Sequence, residues 1–536
     1  MNRLQRDIAV VVGWTCLLFI PFYAKPYHID EPQFLAYAQA ILRCPHNPFN
    51  ALINWYGRSQ PLWQIDNGCP LSFYLLAAAL KLTSGAAWSM RLFFMPLDIA
   101  TAVALYLIAR RFLSEPLWPV LIAIAGPAYM INLNHLMGEK FAAVFGFWSL
   151  WFLLKSVQEN KSRWYWISAA LCALTLLAKV SSVFFLLLAL IYSRANKVPL
   201  KRILLFFVIS AAPCVLYLMH AHRTYGSALS ITLFMLQRAS RFPSSQWPDK
   251  LRSLLSFVGG CSLLAVFMPF WSLRSRSQRY HILSLLGVLL LFMPFFDCGR
   301  NFRMIDRVLG IVFSFGALWS LLNLFAASPR QRGWPFWCLW ILLVPVVFVP
   351  LYWSIVSRLI LFMIPPLIFG TAEILEASAS RQSRRRLYAA TLLASLLISV
   401  PLALVDLHFA RDQERMAGIA ADMMRGSPYR LWFTGHWGFQ YYMDRAGAHA
   451  LDEAAGGWDQ PKAGDVVVVP MINADLVRPG HSIAWKTRDL DCNDPIPLRL
   501  IGIGEDQAGF HSSVNGFLPY SIARRPLDRF VIVTIL

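Results

Sequence analysis

Asp30 and Glu31 are adjacent carboxylates that stand directly after the first apolar run of the chain. A carboxylate acts as a general base when a substrate hydroxyl comes within hydrogen-bond reach. Asp30 is also a good helix N-cap, and Pro32 suits the first turn after it. Phe34, Leu35, Ala38, Ile41 and Leu42 recur at helical spacing, which predicts an amphipathic helix ending near Arg43. Laid on a bilayer surface, that helix would hold both acids at the water–lipid boundary. The same residues equally suit a plain capped helix without chemistry.

The other chemically capable residues are Glu139 at the start of an apolar run, Lys179 inside one, His28, His135, and the trio Arg300, Arg303 and Arg307. Each has a plainer reading. Glu139 favours the positive end of a helix, and Lys179 reaches lipid headgroups by snorkelling. Arg300 and Arg303 pair with Asp297 and Asp306 or touch headgroups. His135 and Glu139 are four residues apart and could share a metal ion on a helix face. The candidate ligands for a divalent cation are therefore Asp30, Glu139 and His135. In the tail, Gly435–Tyr442 (GHWGFQYY) offers aromatic faces to a sugar or to a core.

These residues must be positioned by a membrane scaffold. Of the 536 residues, 57% are hydrophobic and only 15% charged, against roughly 25% charged in soluble domains. Apolar runs near 20 residues long recur to about residue 407. The net charge of +20 lies in short clusters between those runs. That is the pattern of cytoplasmic membrane loops, not of a nucleic-acid-binding surface. Arg3 and Arg6 place the N-terminus in the cytoplasm, followed by an uncleaved anchor helix. Residues 25–90 then form the first exoplasmic loop, with Leu71–Leu82 along the surface because it is short for a crossing. That choice keeps Arg110–Arg111, Arg194–Arg202 and Arg381–Arg386 on the inner side. It gives about thirteen spans and an outer C-terminus. The segments 164–178 and 180–192 are expected to meet near Lys179. Residues 408–536 have the composition of a small α/β domain, with strands at Arg430–Thr434, Asp465–Pro470 and Phe530–Leu536 and a helix at Trp437–Arg445. Cys44 and Cys69 share the first exoplasmic loop and could pair in an oxidising compartment.

Four stretches, in order, resemble the GT-C glycosyltransferases that use polyprenyl-phosphate sugars, among them protein O-mannosyltransferases and lipid A aminoarabinose transferases. They are IDEPQFLAYAQAIL, CPLSFYLLAAALKLTSG with the following Met90–Arg91, NHLMGEKFAAVFGFWSL and LTLLAKVSSVFFLLL. The resemblance covers about residues 8–200 well and the later spans in outline. It implies Asp30 as catalytic base with Glu31 beside it, Glu139 as an acid that helps bind a metal or acceptor, and Lys179 facing the donor phosphate. Arg91 matches the arginine after the surface helix. Gly68–Cys69 stands where the aminoarabinose transferases have a glutamate–lysine pair, which puts a metal site of their kind in doubt.

The function expected is sugar transfer, with inversion, from a polyprenyl-phosphate donor to a lipid, glycan or protein acceptor on the exoplasmic face. Arg300, Arg303 and Arg307 join Lys179 as candidate phosphate ligands. The membrane expected is a bacterial inner membrane with the tail domain in the periplasm. A transporter or flippase of lipid-linked saccharides, or an O-antigen ligase or polymerase, is the alternative. No internal repeat is visible, and the charges gather at one face rather than at mid-span. Single cysteines introduced at positions 30 and 139 should react with an impermeant thiol reagent from the same side of the membrane. Labelling from opposite sides would break the proposed site apart.

Overall fold

The computed structural model describes residues 2–65, 70–226, 247–272, 278–292, 302–327, 333–474 and 484–536. It is mainly helical, with a sheet domain at the C-terminal end. Seven described helices are long and apolar enough to cross a bilayer, or eight if the bent pair Trp247–Cys261 and Leu263–Pro269 forms one broken span. These apolar helices identify an integral membrane protein. The expected count of about thirteen spans is not confirmed. Part of the difference is breakage. The run 117–133 splits into Leu117–Ala125 and Pro127–Asn132, because Pro127 cannot donate to a continuing helix. The run 358–376 splits into Ser357–Ile360 and Ile364–Ser378.

The helices that position the candidate residues are α1 (Arg3–Phe19), α2 (Glu31–Arg43), α3 (Leu71–Leu82), α4 (Ala87–Ala109) and α5 (Gly138–Glu159). They are followed by α6 (Ser162–Ala178), α7 (Ser357–Ile360) and α8 (Arg381–Met423). The short helix α3 keeps its expected bounds and packs on α2. Phe73 stacks on Tyr37 with ring centroids 4.2 Å apart and meets Phe34 at 5.2 Å. Lys179 falls between α6 and the short turn Val180–Val183, as the two apolar segments meeting there require.

Three ion pairs are enclosed in this scaffold, each with both side chains at most 3% exposed: Glu31–Arg91, Asp98–Lys140 and Lys25–Asp406. A lone charge in such surroundings costs several kcal/mol, so each partner depends on the other. Asp98–Lys140 joins α4 to α5, and Tyr23 donates a hydrogen bond to the same Asp98. Lys25–Asp406 joins the exit of α1 to α8.

The expected boundary after residue 407 falls inside α8, whose 43 residues run unbroken to Met423. At 1.5 Å per residue it is about 65 Å long, twice the roughly 30 Å of a hydrocarbon core. No proline follows Asp406 in it, and its one glycine there, Gly418, comes after the charged stretch, so the helix continues through Arg411–Arg415. The tail then forms β1 (Leu431–Phe433), helix α9 (Trp437–Arg445), β2 (His449–Ala450), β3 (Val466–Pro470), β4 (Trp485–Cys492) and β5 (Asp528–Ile535). The sheet order is β2-β1-β3-β5-β4. The β1–β2 and β1–β3 pairs are parallel, and β3–β5 and β4–β5 are antiparallel. DVVVVP forms the central strand β3, with Val467 and Val468 fully buried.

Arg91→Met would strand Glu31 as an uncompensated buried anion. The expected loss is about 3–5 kcal/mol of stability, read as a lower thermal midpoint of the detergent-solubilised protein. An unchanged midpoint would show that the pair is not what fixes the loops around it.

Candidate active site

Asp30 occupies the N-cap position of α2, yet its side chain makes no capping hydrogen bond. Glu31 does not cap it either: its Oε2 accepts from the His28 N–H, before the helix begins, at 2.8 Å. The Asp30 carboxylate instead accepts from Nη1 of Arg358 on α7 at 2.7 Å. Nε of the same guanidinium lies 3.2 Å from Glu139, and Lys179 Nζ lies 2.9 Å from that glutamate. The four residues alternate in sign: Asp30, Arg358, Glu139, Lys179. Glu139 is 3% exposed, whereas Asp30, Arg358 and Lys179 are 22%, 25% and 18% exposed. The group is therefore open on one side and anchored on the other.

Local packing brings these residues together. A Cβ on Gly138 would lie 3.3 Å from the Ala178 carbonyl, so glycine lets the start of α5 approach Lys179. Ser72 on α3 donates to that same carbonyl at 2.9 Å. Arg358 follows Ser357, whose hydroxyl bonds Asn132 and whose N–H donates to the Phe510 carbonyl in the tail domain. Met137 Sδ accepts from Arg358 as well. Ile29, just before Asp30, has φ +51°, a rare conformation for a β-branched residue and one that the surrounding contacts must enforce.

Glu31 and Arg91 lie outside this open group. Both are fully buried, and Arg91 Nη2 donates to both Glu31 oxygens at 2.9 Å. Arg91 also donates to the carbonyls of Asn134, Tyr23 and Lys25, and Glu31 accepts from the Leu136 N–H. Every strong hydrogen-bonding face of the pair is occupied by the protein itself. Their geometry is that of a staple between three loops, apart from the open group that holds Asp30.

The three candidate metal ligands do not converge. Arg358 fills the gap between Asp30 and Glu139, and a cation there would face a guanidinium at hydrogen-bond distance. His135 precedes the start of α5 at Gly138, so its four-residue spacing to Glu139 is not helical. Its Nε2 points instead toward Lys25 and Asp406, at 3.2 and 3.4 Å. Arg303 is bound to Asp306, the plainer alternative, and to Asp506 of the tail at 2.7 Å. Arg307 follows one turn on, half-buried. Arg300, Asp297 and Cys69 lie outside the described residues, and with them the Cys44–Cys69 pairing.

The tail domain contributes to the site wall. A Cβ on Gly438 would lie 2.4 Å from the Tyr27 carbonyl, and Tyr442 accepts from the Tyr27 N–H at 2.9 Å. The GHWGFQYY segment thus packs on the residues just before Asp30. Phe439 and Gln440 turn inward, while His436 and Trp437 stay half-buried, His436 next to Trp55, Tyr56 and Trp437. Burial opposes ionisation of Asp30, but Arg358 outweighs it by charge and hydrogen bond, aided by His436 and His511. The carboxyl is held below its ordinary range and is a carboxylate at neutral pH.

Residues 66–221 match the family described as dolichyl-phosphate-mannose-protein mannosyltransferase. The match spans the surface helix, Arg91, Glu139 and Lys179, and begins after Asp30. No curated protein matches the chain. Among solved structures, ArnT from Cupriavidus metallidurans bound to undecaprenyl phosphate is similar at 14% identity, with 86% of this chain and 92% of that one covered and a TM-score of 0.45. Arabinosyltransferase EmbB from Mycobacterium smegmatis is similar at 16% identity, with 94% of this chain and 47% of that one covered and a TM-score of 0.33. Both superpositions are loose.

His28 and His135 are completely enclosed, and burial pushes them down to about 4 and about 3 from the ordinary 6.5. Below pH 6.5 the unfolded chain therefore binds more protons at these positions than the folded one. Stability should be full above pH 6.5 and fall steadily as pH drops toward 4. Thermal midpoints in detergent across that range check this, and a midpoint that holds or rises on acidification would contradict it.

Proposed function

We propose that the protein is a membrane glycosyltransferase that moves a sugar from a polyprenyl-phosphate donor to an acceptor hydroxyl, with Asp30 as general base. One observation carries the reading. Asp30 stands at a helix N-cap without capping it, and is held ionised at the open edge of a group that also contains two partly open cations. The family match over residues 66–221 supports the reaction class.

The four charges sum to zero with both acids ionised. A donor phosphate brings anionic oxygens that compete with Asp30 and Glu139 for Arg358 and Lys179. Arg358 has the better geometry for this, since a guanidinium grips phosphate oxygens in pairs. Moving it from Asp30 to the phosphate restores basicity to the carboxylate at the moment a donor is present. Asp30 then takes the acceptor O–H proton, and the freed oxygen attacks the anomeric carbon. The bond from that carbon to the phosphate oxygen breaks, and its electron pair leaves with the lipid phosphate. Arg358 and Lys179 stabilise the charge that develops there. Attack opposite the leaving group inverts the configuration.

In this reading the acceptor is a lipid, glycan or protein hydroxyl, the site faces the exoplasm of a bacterial inner membrane, and the tail domain is periplasmic. His436, packed on Tyr56, is the aromatic side chain of the tail that faces Asp30. Arg303 holds the tail in place through Asp506 instead of meeting the donor.

Asp30→Asn should lower transfer by about 10²–10⁴-fold, the usual contribution of a general base, with expression and membrane insertion intact. Normal transfer by that variant would remove the mechanism. Arg358→Gln should chiefly raise the donor KM. Wild-type protein given a polyprenyl-phosphate sugar should release free lipid phosphate only when acceptor is present, whereas a transporter would release none.

A further inference from the structure

Asp406 of α8 lies behind the reactive group, among residues that the proposed chemistry does not use. Its Oδ2 is held by Lys25 and faces His135. Its Oδ1 is enclosed, makes no hydrogen bond, and faces two imidazoles. His28 Nε2 is 3.3 Å from Oδ1 and His511 Nε2 is 3.5 Å from it. The three ligand atoms lie within 4.8 Å of one another. The side chains of His28, Asp406 and His511 are 1%, 3% and 6% exposed. His511 Nε2 likewise makes no hydrogen bond. A small cavity opens between them, closed on its far side by Phe409, Leu500 and Leu527.

Buried acceptors and donors that converge without bonding are unusual, because each forfeits its hydration. Zinc bonds to histidine nitrogen and carboxylate oxygen are about 2.0–2.2 Å. Tetrahedral ligands at such distances stand roughly 3.3–3.5 Å apart, the separations seen here from Oδ1 to each imidazole. Two histidines and one carboxylate, with a fourth side left open, suit zinc or a similar first-row ion and not magnesium or calcium, which prefer all-oxygen shells.

We propose that His28, Asp406 and His511 form a binding site for a divalent transition metal of the zinc class. The three ligands come from the turn before α2, from the long helix α8 and from the tail domain. The ion ties these elements together two residues from Asp30 and leaves its fourth position toward the cavity. It is a positioning site, separate from the Asp30–Arg358–Glu139–Lys179 group, and stands whether or not sugar transfer is the reaction.

The test uses tag-free, full-length protein in detergent, stripped with EDTA, equilibrated with Zn²⁺ and desalted. Elemental analysis should find about one zinc per chain, and zinc should raise the thermal midpoint. His511→Ala should lose both the metal and the shift, whereas alanine at the exposed His46 should change neither. Co²⁺ in the wild-type protein should give the visible d–d bands of a low-coordinate nitrogen–oxygen site. In His511→Cys, a sulfur-to-cobalt charge-transfer band should appear that is absent from both wild type and His511→Ala, the latter controlling for native cysteines exposed by misfolding. Wild-type protein that retains no zinc and gives no cobalt bands would overturn the proposal. So would full zinc retention by His511→Ala.

Discussion

The buried Glu31–Arg91 pair is the constraint on which the arrangement around Asp30 depends. Arg91 is rooted in α4, a helix long enough to cross the bilayer, and its guanidinium reaches the carbonyls of Tyr23, Lys25 and Asn134 as well as Glu31. Glu31 in turn accepts from His28 and Leu136. One ion pair therefore sets the exit of α1, the start of α2 and the loop before α5 in fixed relation. Asp30 and Glu139 are one and three residues away from the groups it holds. Neither acid could face Arg358 with this geometry if those loops drifted independently.

The division of labour between Asp30 and Glu31 follows from this. Neither carboxylate caps the helix start. Glu31 takes a structural part, paired with Arg91, and is fully buried. Asp30 is left with an unusual backbone neighbour at Ile29 and an exposed edge. The tail domain completes the arrangement. Phe510 accepts from Ser357 just before Arg358, Gly438 lies against Tyr27, and His511 faces Asp406. Residues nearly 500 positions apart in sequence thus converge on one end of the membrane domain.

Much of this was legible in the sequence. Helical periodicity placed α2 and α3, and DVVVVP and the GHWGFQYY helix appear where alternation and turn residues put them. Lys179 and Glu139 were visible as charges at the ends of apolar runs. The split between Asp30 and Glu31 was not visible, because their partners Arg358 and Arg91 come from distant segments and only the partner decides. Arg358 was missed, although a lone cation in the apolar stretch Leu351–Phe369 is itself a signal. Asp406, at the end of the last apolar run, carried the same signal. The His135–Glu139 spacing misled because it assumes a helix that begins three residues too early. The span count rested on run length and on the placement of basic clusters, and neither reveals a break such as Gly126–Pro127. His511 had no local sign, since its place comes from the docking of the tail.

The central claim is that the donor phosphate displaces Asp30 from Arg358. A structure of the protein with a polyprenyl-phosphate sugar bound in a lipid nanodisc measures this directly. The expected result is Arg358 and Lys179 on the phosphate oxygens, with Asp30 released and facing the anomeric carbon from the side opposite the phosphate. A donor phosphate seated elsewhere, with the Asp30–Arg358 pair intact, would contradict it.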